Sequence, residues 1–292
     1  MRRLRWGIIG FGEAGSAFAK HISQRIGQPV FVTDPLLNQN PVPSNLRERL
    51  QGSRVEIISS IPRLVEGSDI VISLVTPRAA SEVALMAGAV RGRSVYVDFN
   101  SISPTEKRDV SRSFHDGAYL DGAVLGSVAV EGALANVAVA GPQAKPVCAR
   151  LRSVGLRVSV AGAEVGAASA LKMCRSIFMK GIECLLVETL LAAKEFKITD
   201  SVLKSIEKTL DTYGLYSMVQ MLVTTHAVHC CRRADEMRSV TKMLDDMGTR
   251  GELSKATRAF LEASCRAGLP GHFKGRVPKN PDSVIKYLSE QR

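Results

Sequence analysis

The stretch Leu4-Arg5-Trp6-Gly7-Ile8-Ile9-Gly10-Phe11-Gly12-Glu13-Ala14-Gly15 decides the fold of this chain. Its apolar start predicts a buried strand, and its three spaced glycines predict a tight turn that opens a helix. Gly10 permits the turn, Gly12 lets a ligand approach the backbone, and Gly15 lets the helix pack closely on the strand. Unpaired N–H groups at the start of such a helix bind phosphate, so the pattern predicts a dinucleotide-binding loop. An ordinary tight turn is the alternative.

An acidic residue, Asp34, follows the next predicted strand, Val30 to Thr33. A carboxylate at this place accepts hydrogen bonds from the adenine ribose of a dinucleotide. The residues after it, Pro35-Leu36-Leu37, include no arginine that would pair with a 2′-phosphate. The sequence therefore favours NAD over NADP as cofactor. The alternative is that Asp34 only starts a turn before Pro35.

Short apolar runs alternate with amphipathic stretches over the first part of the chain. The predicted strands are Leu4 to Ile9, Val30 to Thr33, Val55 to Ile58, Ile70 to Val75, Ser94 to Val97, Ala118 to Leu120, Val137 to Ala140 and Leu156 to Val160. Several are continuously apolar, which is typical of strands covered by helices on both faces. The alternation predicts an α/β Rossmann-type fold, in which a doubly wound, mostly parallel sheet forms the centre.

The strand pattern stops at Gly162, and helical patterning takes over. The predicted helices run over about 163–196, 199–213, 215–230, 233–247, 252–267 and 281–290, with glycines at several of the breaks. We therefore predict a dinucleotide-binding domain over residues 1–161 and an all-α domain over residues 162–292.

Composition narrows the class of protein. A hydrophobic share of 45% and a charged share of 23% are those of a folded globular chain. No run approaches the roughly 20 apolar residues of a membrane helix, so we expect no membrane partner. The six cysteines are scattered without CxxC spacing. We expect them to be reduced core residues of a cytoplasmic protein.

The formal net charge of +11 raises the question of nucleic acid, but aromatic residues make up only 5% of the chain. We expect no nucleic-acid partner and attribute the charge to attraction of anionic small molecules. His226 and His229 lie beside Cys230 and Cys231, without a nearby carboxylate. We therefore predict no metal site.

Polar residues recur at three- and four-residue spacings within the apolar helix after residue 163, and they share one narrow face. They are Ser169, Lys172, Ser176, Lys180 and Glu183. Because the rest of the helix is apolar almost all round, it is predicted to be buried, and a buried lysine needs a partner or a task. Lys172 could then exchange a proton with a substrate oxygen. The alternative is a solvated stripe with Lys180 and Glu183 as a surface pair.

Four motifs in this order resemble the β-hydroxyacid dehydrogenase superfamily, which includes 6-phosphogluconate and 3-hydroxyisobutyrate dehydrogenases. They are the loop from Gly10 to Gly15, the segment from Asp98 to Pro104, the segment from Asp121 to Ser127, and the helix start from Gly166 to Ser176. The resemblance covers nearly the whole chain. It is greatest to a branch of phosphogluconate-dehydrogenase-like proteins with a short, distinctive helical carboxy-terminal domain.

The resemblance implies a role for particular residues. Lys172 would be the general acid/base of reversible hydride transfer between the nicotinamide and a hydroxyl-bearing carbon. The cofactor would be contacted by Gly10, Phe11, Gly12, Glu13, Ala14, Gly15, Asp34, Val75, Thr76 and Asn100. The substrate, a polar or anionic small molecule, would be contacted by Asn100, Ser101, Leu125, Gly126, Ser127, Ser176 and Lys180. Members of the family usually pair through their helical domains, so a homodimer is expected.

Two positions depart from the family pattern. The asparagine that follows the lysine in the family is Ser176 here, and the Ser-Gly-Gly substrate loop is Leu125-Gly126-Ser127. The substrate pocket is therefore expected to differ from that of a short hydroxy acid dehydrogenase. These departures leave open a reductase that acts on an imine or a bulkier carbonyl, and a nicotinamide-binding sensor without turnover.

Overall fold

A computed structural model describes residues 4–115 and 117–291. The chain forms two compact units, Met1–Ile177 and Phe178–Arg292. The boundary predicted after residue 161 coincides with the end of the last strand and stays a prediction, because the compact units divide further along, within the long helix that follows.

The first unit is built on one sheet of eight strands in the order β3-β2-β1-β4-β5-β6-β7-β8. The strands are β1 (Trp6–Ile9), β2 (Val30–Thr33), β3 (Val55–Ile57), β4 (Ile70–Ser73), β5 (Val95–Asp98), β6 (Tyr119–Val124), β7 (Val137–Ala140) and β8 (Val158–Gly162). Neighbours pair in parallel except β6 with β7. The predicted mostly parallel sheet is confirmed.

Helices cover both faces of the sheet. They are α1 (Glu13–Ile26), α2 (Ser44–Leu50), α3 (Ile61–Gly67), α4 (Pro77–Gly88), α5 (Pro104–Ser111), α6 (Val128–Glu131), α7 (Ala144–Ser153) and the start of α8 (Ala167–Glu195). Phe18 and Ile22 of α1 pack in one apolar core, and Leu64 and Tyr96 pack in another. Two such cores explain why the central strands are apolar on both faces.

The second unit is all-helical, as predicted. It contains the rest of α8, then α9 (Thr199–Asp246), α10 (Glu252–Arg266), α11 (Leu269–His272) and α12 (Pro281–Glu290). The predicted break at Gly214 is confirmed, since this residue leaves helical geometry at φ 60° and ψ 171°. The predicted break between residues 230 and 233 is wrong, because the sequence there has no glycine or proline and the helix continues. The short helix α11 lies between the helices predicted over 252–267 and 281–290 and was not predicted.

The expectation of six reduced core cysteines is also wrong. Cys231 of α9 and Cys265 of α10 form a disulfide whose Cα atoms lie 5.1 Å apart. Cys148 and Cys230 are buried thiols, whereas the Cys174 and Cys184 thiols of α8 are exposed. The two bonded residues are 34 positions apart, so only the packing of α9 on α10 brings them together.

The prediction that α8 is buried is wrong for the single chain. Ile177 is 77% exposed and Val187 is 57% exposed, and the apolar side chains around them are also largely open to solvent. Helical patterning does not distinguish a core helix from one that leaves an apolar surface for another molecule. Among the described residues, no helix is both long enough and apolar enough to cross a membrane.

Candidate functional site

The glycine loop has the geometry that its sequence predicts. Gly10 has a φ of +92°, and a Cβ there would lie 2.4 Å from the Leu74 carbonyl oxygen. A Cβ on Gly15 would lie 1.9 Å from the Gly10 carbonyl oxygen, so α1 packs directly on the loop. A Cβ on Gly12 would meet no protein atom within 4 Å. The space beside Gly12 is therefore open to a ligand, at the start of a helix whose first N–H groups lack a side-chain cap.

Asp34 fixes this loop and also begins a turn. One carboxylate oxygen accepts a hydrogen bond from the Phe11 N–H at 2.8 Å, and the other accepts one from the Leu36 N–H at 2.9 Å. These contacts agree with the turn interpretation of Asp34, and its contact with a ribose stays a prediction. Each carboxylate oxygen has a second lone pair, so Asp34 can still accept hydrogen bonds from ribose hydroxyls.

A cleft of about 520 Å³ joins the glycine loop to Asp34. It lies at the carboxyl ends of β1, β2 and β4, the edge where open parallel sheets bind ligands. Its lining includes Gly10, Gly12, Asp34, Val75 and Thr76, which we call the cofactor cleft. The open space at Gly12 and the acceptors of Asp34 fit the pyrophosphate and ribose of a nicotinamide dinucleotide.

Asn100 lies at the end of β5 and is only 4% exposed. Its side-chain oxygen accepts from the Val75 N–H at 2.7 Å, and its amide nitrogen donates to Ser73 Oγ at 2.9 Å. Its own N–H donates to an Asp98 carboxylate oxygen at 2.9 Å. Asn100 therefore holds the segment after β4 in place. All of its described hydrogen bonds are made to other residues of the protein.

Lys172 meets Ser101 at the same edge of the sheet. Its Nζ donates to Ser101 Oγ at 2.6 Å, which joins α8 to the segment after β5. The side chain is half-buried, and burial lowers the pKa of Lys172; the nearby ammonium of Lys107 lowers it further. A lysine with a lowered pKa is neutral over more of the accessible pH range, as a proton acceptor must be.

A buried charged cluster lies close to Lys172, and its role was not predicted from the sequence. Lys107 of α5 is fully buried, with Nζ at 3.0 Å from an Asp98 carboxylate oxygen and 3.6 Å from an Asp121 carboxylate oxygen. It also donates to the Asp98 carbonyl oxygen at 2.6 Å. Tyr119 donates to the other Asp98 carboxylate oxygen at 2.7 Å. A signal was present, because Asp98 and Asp121 lie in adjacent buried strands, and buried carboxylates need a compensating partner.

Asp121 connects this cluster to α8. Its carboxylate accepts from the Ser169 N–H at 2.9 Å and from Ser169 Oγ. Ser169 lies about one turn before Lys172 on the same helix. The cluster of Lys107, Asp98 and Asp121 thus holds both segments that present the Lys172–Ser101 pair.

The backbone of the predicted substrate loop, Leu125-Gly126-Ser127, is hydrogen-bonded to neighbouring parts of the chain. The N–H groups of Leu125 and Gly126 donate to the Asn136 carbonyl oxygen at 2.8 and 3.3 Å, and the Ser127 N–H donates to Glu131 at 3.2 Å. The Leu125 carbonyl accepts from the Arg175 guanidinium. Leu125 is half-buried, and Ser127 is exposed at the start of α6.

The structure does not give Ser176 or Lys180 a described contact with the Lys172–Ser101 pair. Ser176 is exposed on α8, and Lys180 pairs with Glu183 at 2.9 Å, with both side chains exposed. Hydrogen bonding to Glu183 raises the pKa of Lys180. The surface-pair interpretation of Lys180 and Glu183 therefore describes their contacts in the single chain.

No group of three or more metal-ligating side chains is found within residues 4–115 and 117–291. His226 is packed near Phe260, with ring centroids 6.0 Å apart. Burial lowers the pKa of His226, and Arg233 lowers it further.

Comparison with known proteins agrees with this geometry. The model of the NAD binding domain of 6-phosphogluconate dehydrogenase matches residues 5–155, and a domain of unknown function, DUF1932, matches residues 193–264. An uncharacterised 28.5 kDa protein of Methanothermus fervidus is 28% identical over 260 residues, which cover 89% of this chain and 98% of that one.

Three solved structures extend the comparison. A conserved protein of unknown function, whose structure is similar to 3-hydroxyacid dehydrogenases, is 32% identical, with 92% of this chain and 99% of that chain covered and a TM-score of 0.63. An imine reductase from Myxococcus stipitatus, in complex with NADP+, shares the fold at 18% identity, with 97% and 99% coverage and a TM-score of 0.70. A variant of it in complex with NAD+ gives a TM-score of 0.72 at 18% identity, with 98% and 100% coverage.

The amino-terminal match, the sheet order and the glycine loop identify a nicotinamide-binding member of the dehydrogenase and reductase superfamily. The chain belongs to the family defined by the NAD binding domain of 6-phosphogluconate dehydrogenase.

Proposed function

We propose that this protein catalyses reversible hydride transfer between a nicotinamide cofactor and a hydroxyl-bearing carbon of a polar or anionic small molecule, with Lys172 as general acid/base. The observation that carries this proposal is the 2.6 Å hydrogen bond between Lys172 Nζ and Ser101 Oγ, at the sheet edge that also forms the cofactor cleft. A proton acceptor beside a nicotinamide site is what alcohol oxidation requires.

Each residue then has a separate role in the reaction. The bound nicotinamide dinucleotide supplies the hydride acceptor or donor. Neutral Lys172 takes the hydroxyl proton as the carbon–oxygen bond becomes a carbonyl, and protonated Lys172 returns that proton in the reductive direction. Ser101 accepts a hydrogen bond from Nζ and holds the amine in place, and Asn100 holds the segment after β4. This arrangement positions the amine before substrate arrives.

NAD is the cofactor that the proposal favours. Asp34 puts a negative charge at the ribose end of the cleft, and the lining residues after it, Pro35, Leu36 and Asn38, carry no positive charge. A 2′-phosphate there would meet a carboxylate without an adjacent cation.

A second candidate is reduction of an imine or a bulkier carbonyl. Leu125 supports it, because its side chain is apolar and half-buried. The family resemblance implies a serine at this position that binds the carboxylate of the substrate. The imine reductase of Myxococcus stipitatus shares the fold and makes such a reaction a sensible part of any screen.

A homodimer through the second unit is also proposed. Tyr216 of α9 is 91% exposed and Val187 of α8 is 57% exposed, and both are among many large apolar side chains of these helices that a lone chain leaves in water. Large exposed apolar patches are characteristic of association surfaces, and a symmetric dimer is the commonest way to cover one.

The test begins with titration of the purified protein with NADH and NADPH. A panel of hydroxy acids, sugar acids, aldehydes and imines is then followed at the nicotinamide absorbance, with Lys172→Ala as the variant and Lys145→Ala, an exposed lysine of α7, as the control. Turnover lost only in Lys172→Ala supports the proposal. NADH binding without turnover favours the sensor, and no binding of either cofactor overturns the assignment.

A further inference from the structure

A second cavity, of about 610 Å³, opens at the same edge of the sheet. Its lining includes Leu125, Asn136, Ser159 and three arginines, Arg152, Arg157 and Arg175, and we call it the arginine cavity. None of the described residues that line it carries a carboxylate. All of these residues belong to the first unit.

Two of the three guanidinium groups are held by hydrogen bonds to backbone carbonyls. Arg175 donates to the Leu125 carbonyl oxygen, and Arg152 Nε donates to the Val158 carbonyl oxygen at 2.9 Å. Arg157 lies 3.8 Å from Glu131, which makes a loose pair at the rim. A guanidinium has five N–H donors, so these contacts leave donors on Arg152 and Arg175 for a ligand. The described contacts orient the arginines without neutralising all three.

The topology places this cavity in line with the proposed reaction centre. The cofactor cleft lies at the ends of β1, β2 and β4, and Ser101 follows β5. Leu125 follows β6, whereas β7 runs antiparallel to β6, so the starts of β7 and β8 lie at this same edge. Neighbouring strands are about 4.8 Å apart, so β5 and β7 are separated by about 10 Å.

The helix α8 links the two places directly. Lys172 and Arg175 are three residues apart, which corresponds to a rise of about 4.5 Å and nearly the same face. Lys172 is bonded to the segment after β5, and Arg175 is bonded to the segment after β6. One small molecule can therefore reach both side chains.

We propose that the arginine cavity binds an anionic group of the substrate, a carboxylate or a phosphate, that lies several bonds from the carbon reacting at Lys172. This inference rests on the proposed function, which it deepens by naming the substrate class: a hydroxy or carbonyl compound with a distal oxyanion. Arginine pairs with carboxylates and phosphates through two parallel N–H donors, which suits a cavity built from guanidinium groups.

The first experiment measures anion binding without turnover. Inorganic phosphate and malonate are titrated by calorimetry into the wild-type protein, with and without saturating NADH, because the glycine loop can also bind phosphate. The variant is Arg157→Gln/Arg175→Gln. The control is Arg91→Gln, an exposed arginine that precedes the start of β5 at the opposite edge.

The expected result is binding of at least one anion in the presence of NADH that weakens about tenfold or more in the double variant and is unchanged in the control. A preference between phosphate and malonate identifies the kind of oxyanion. Equal binding by wild type and double variant, or no binding of either anion with NADH present, overturns the inference. Binding that falls away once NADH is added, and is untouched by the double variant, locates the anion at the glycine loop and also overturns it.

A second experiment uses any substrate found in the screen. The double variant should raise KM at least about tenfold while kcat changes little, because a distal anion is bound equally in ground and transition states. A tenfold loss of kcat with an unchanged KM would contradict the assigned role. Failure of the proposed function is a separate outcome, because it appears as absent NADH binding or absent Lys172-dependent turnover. The difference in anion binding between wild type and the double variant can be measured even if NADH does not bind and no substrate turns over.

Discussion

The ammonium of Lys107 lies 3.0 Å from a carboxylate oxygen of Asp98, and neither side chain has any solvent exposure. Asp121 completes the cluster from the neighbouring strand. Replacing Lys107 by Met would leave two buried carboxylates without a cation, and we expect a loss of about 3–5 kcal/mol in the free energy of unfolding. Urea denaturation measures it. Lys145→Met, at an exposed position, is the control and should unfold like wild type.

The second prediction concerns the protonation of Lys172. Burial, and then the charge of Lys107, lowers its pKa in the folded protein. Between the folded and unfolded pKa values the folded state binds fewer protons, so this group makes the protein more stable as pH rises through that window. Oxidation should rise with pH through the lowered pKa, and reduction should fall. Competitive labelling with acetic anhydride, read by mass spectrometry, should show Lys172 reacting at lower pH than exposed Lys145.

The charge of Lys107 can be tested in the same labelling experiment. If Lys107→Met folds, the pKa of Lys172 should rise towards its ordinary value, because a nearby positive charge has been removed. Ser101→Ala is the matched variant that keeps Lys107 and removes the hydroxyl. A Lys172 pKa that is the same in Lys107→Met and wild type would show that the buried ammonium does not act on it.

The third prediction separates folding from cofactor binding at the glycine loop. Gly12→Ala places a methyl group where no protein atom lies within 4 Å, so the melting temperature should stay close to that of wild type. NADH binding should nevertheless fall at least about tenfold, because the methyl group occupies the approach of the pyrophosphate. Gly10→Ala should destabilise the fold as well, given its φ of +92°. Gly271→Ala, with open space around it and no cofactor contact, should retain both properties. Undiminished NADH affinity in Gly12→Ala would place the pyrophosphate elsewhere.

The fourth prediction concerns cofactor preference. Asp34→Ser removes the carboxylate that accepts from the Phe11 and Leu36 N–H groups. NADH affinity should fall about tenfold, and the ratio of NADH to NADPH affinity should move towards NADPH, because the negative charge that opposes a 2′-phosphate is gone. Asp69→Ser, a carboxylate outside the cofactor cleft, is the control for general loss of charge. An unchanged ratio would mean that Asp34 acts on loop geometry alone.

The fifth prediction concerns the proposed homodimer. Val187→Glu puts a charge on the exposed apolar surface of α8 and should convert a dimer to a monomer in sedimentation velocity. Lys194→Glu, at an exposed polar position of the same helix, should leave the assembly intact. Circular dichroism checks that both variants remain helical. A wild-type protein that sediments as a monomer at micromolar concentration would contradict the proposed homodimer.

The dinucleotide-binding half was readable from the sequence because its signals are local. The glycines of the loop, the strand before them and Asp34 lie within one β-α-β unit, where spacing fixes geometry. Contacts and exposures that depend on packing between distant segments could not be predicted from the sequence. The Cys231–Cys265 bond joins two helices across 34 residues, and the exposure of α8 depends on what covers it.

The sequence by itself determined the fold class and the glycine loop, because residue spacing specifies both. It also singled out Lys172 as the candidate acid/base, and that role stays a prediction. Only the tertiary structure decided which partners meet: Lys172 with Ser101, Lys107 between Asp98 and Asp121, and Arg175 with the Leu125 carbonyl. These contacts bring together residues from separate strands and helices. For Lys107, Asp98 and Asp121 the physical cause is that a buried charge is stable only beside a partner, and these partners meet only once the sheet and its helices are assembled. The contacts of Lys172 and Arg175 form because the same assembly brings α8 next to the segments that follow β5 and β6.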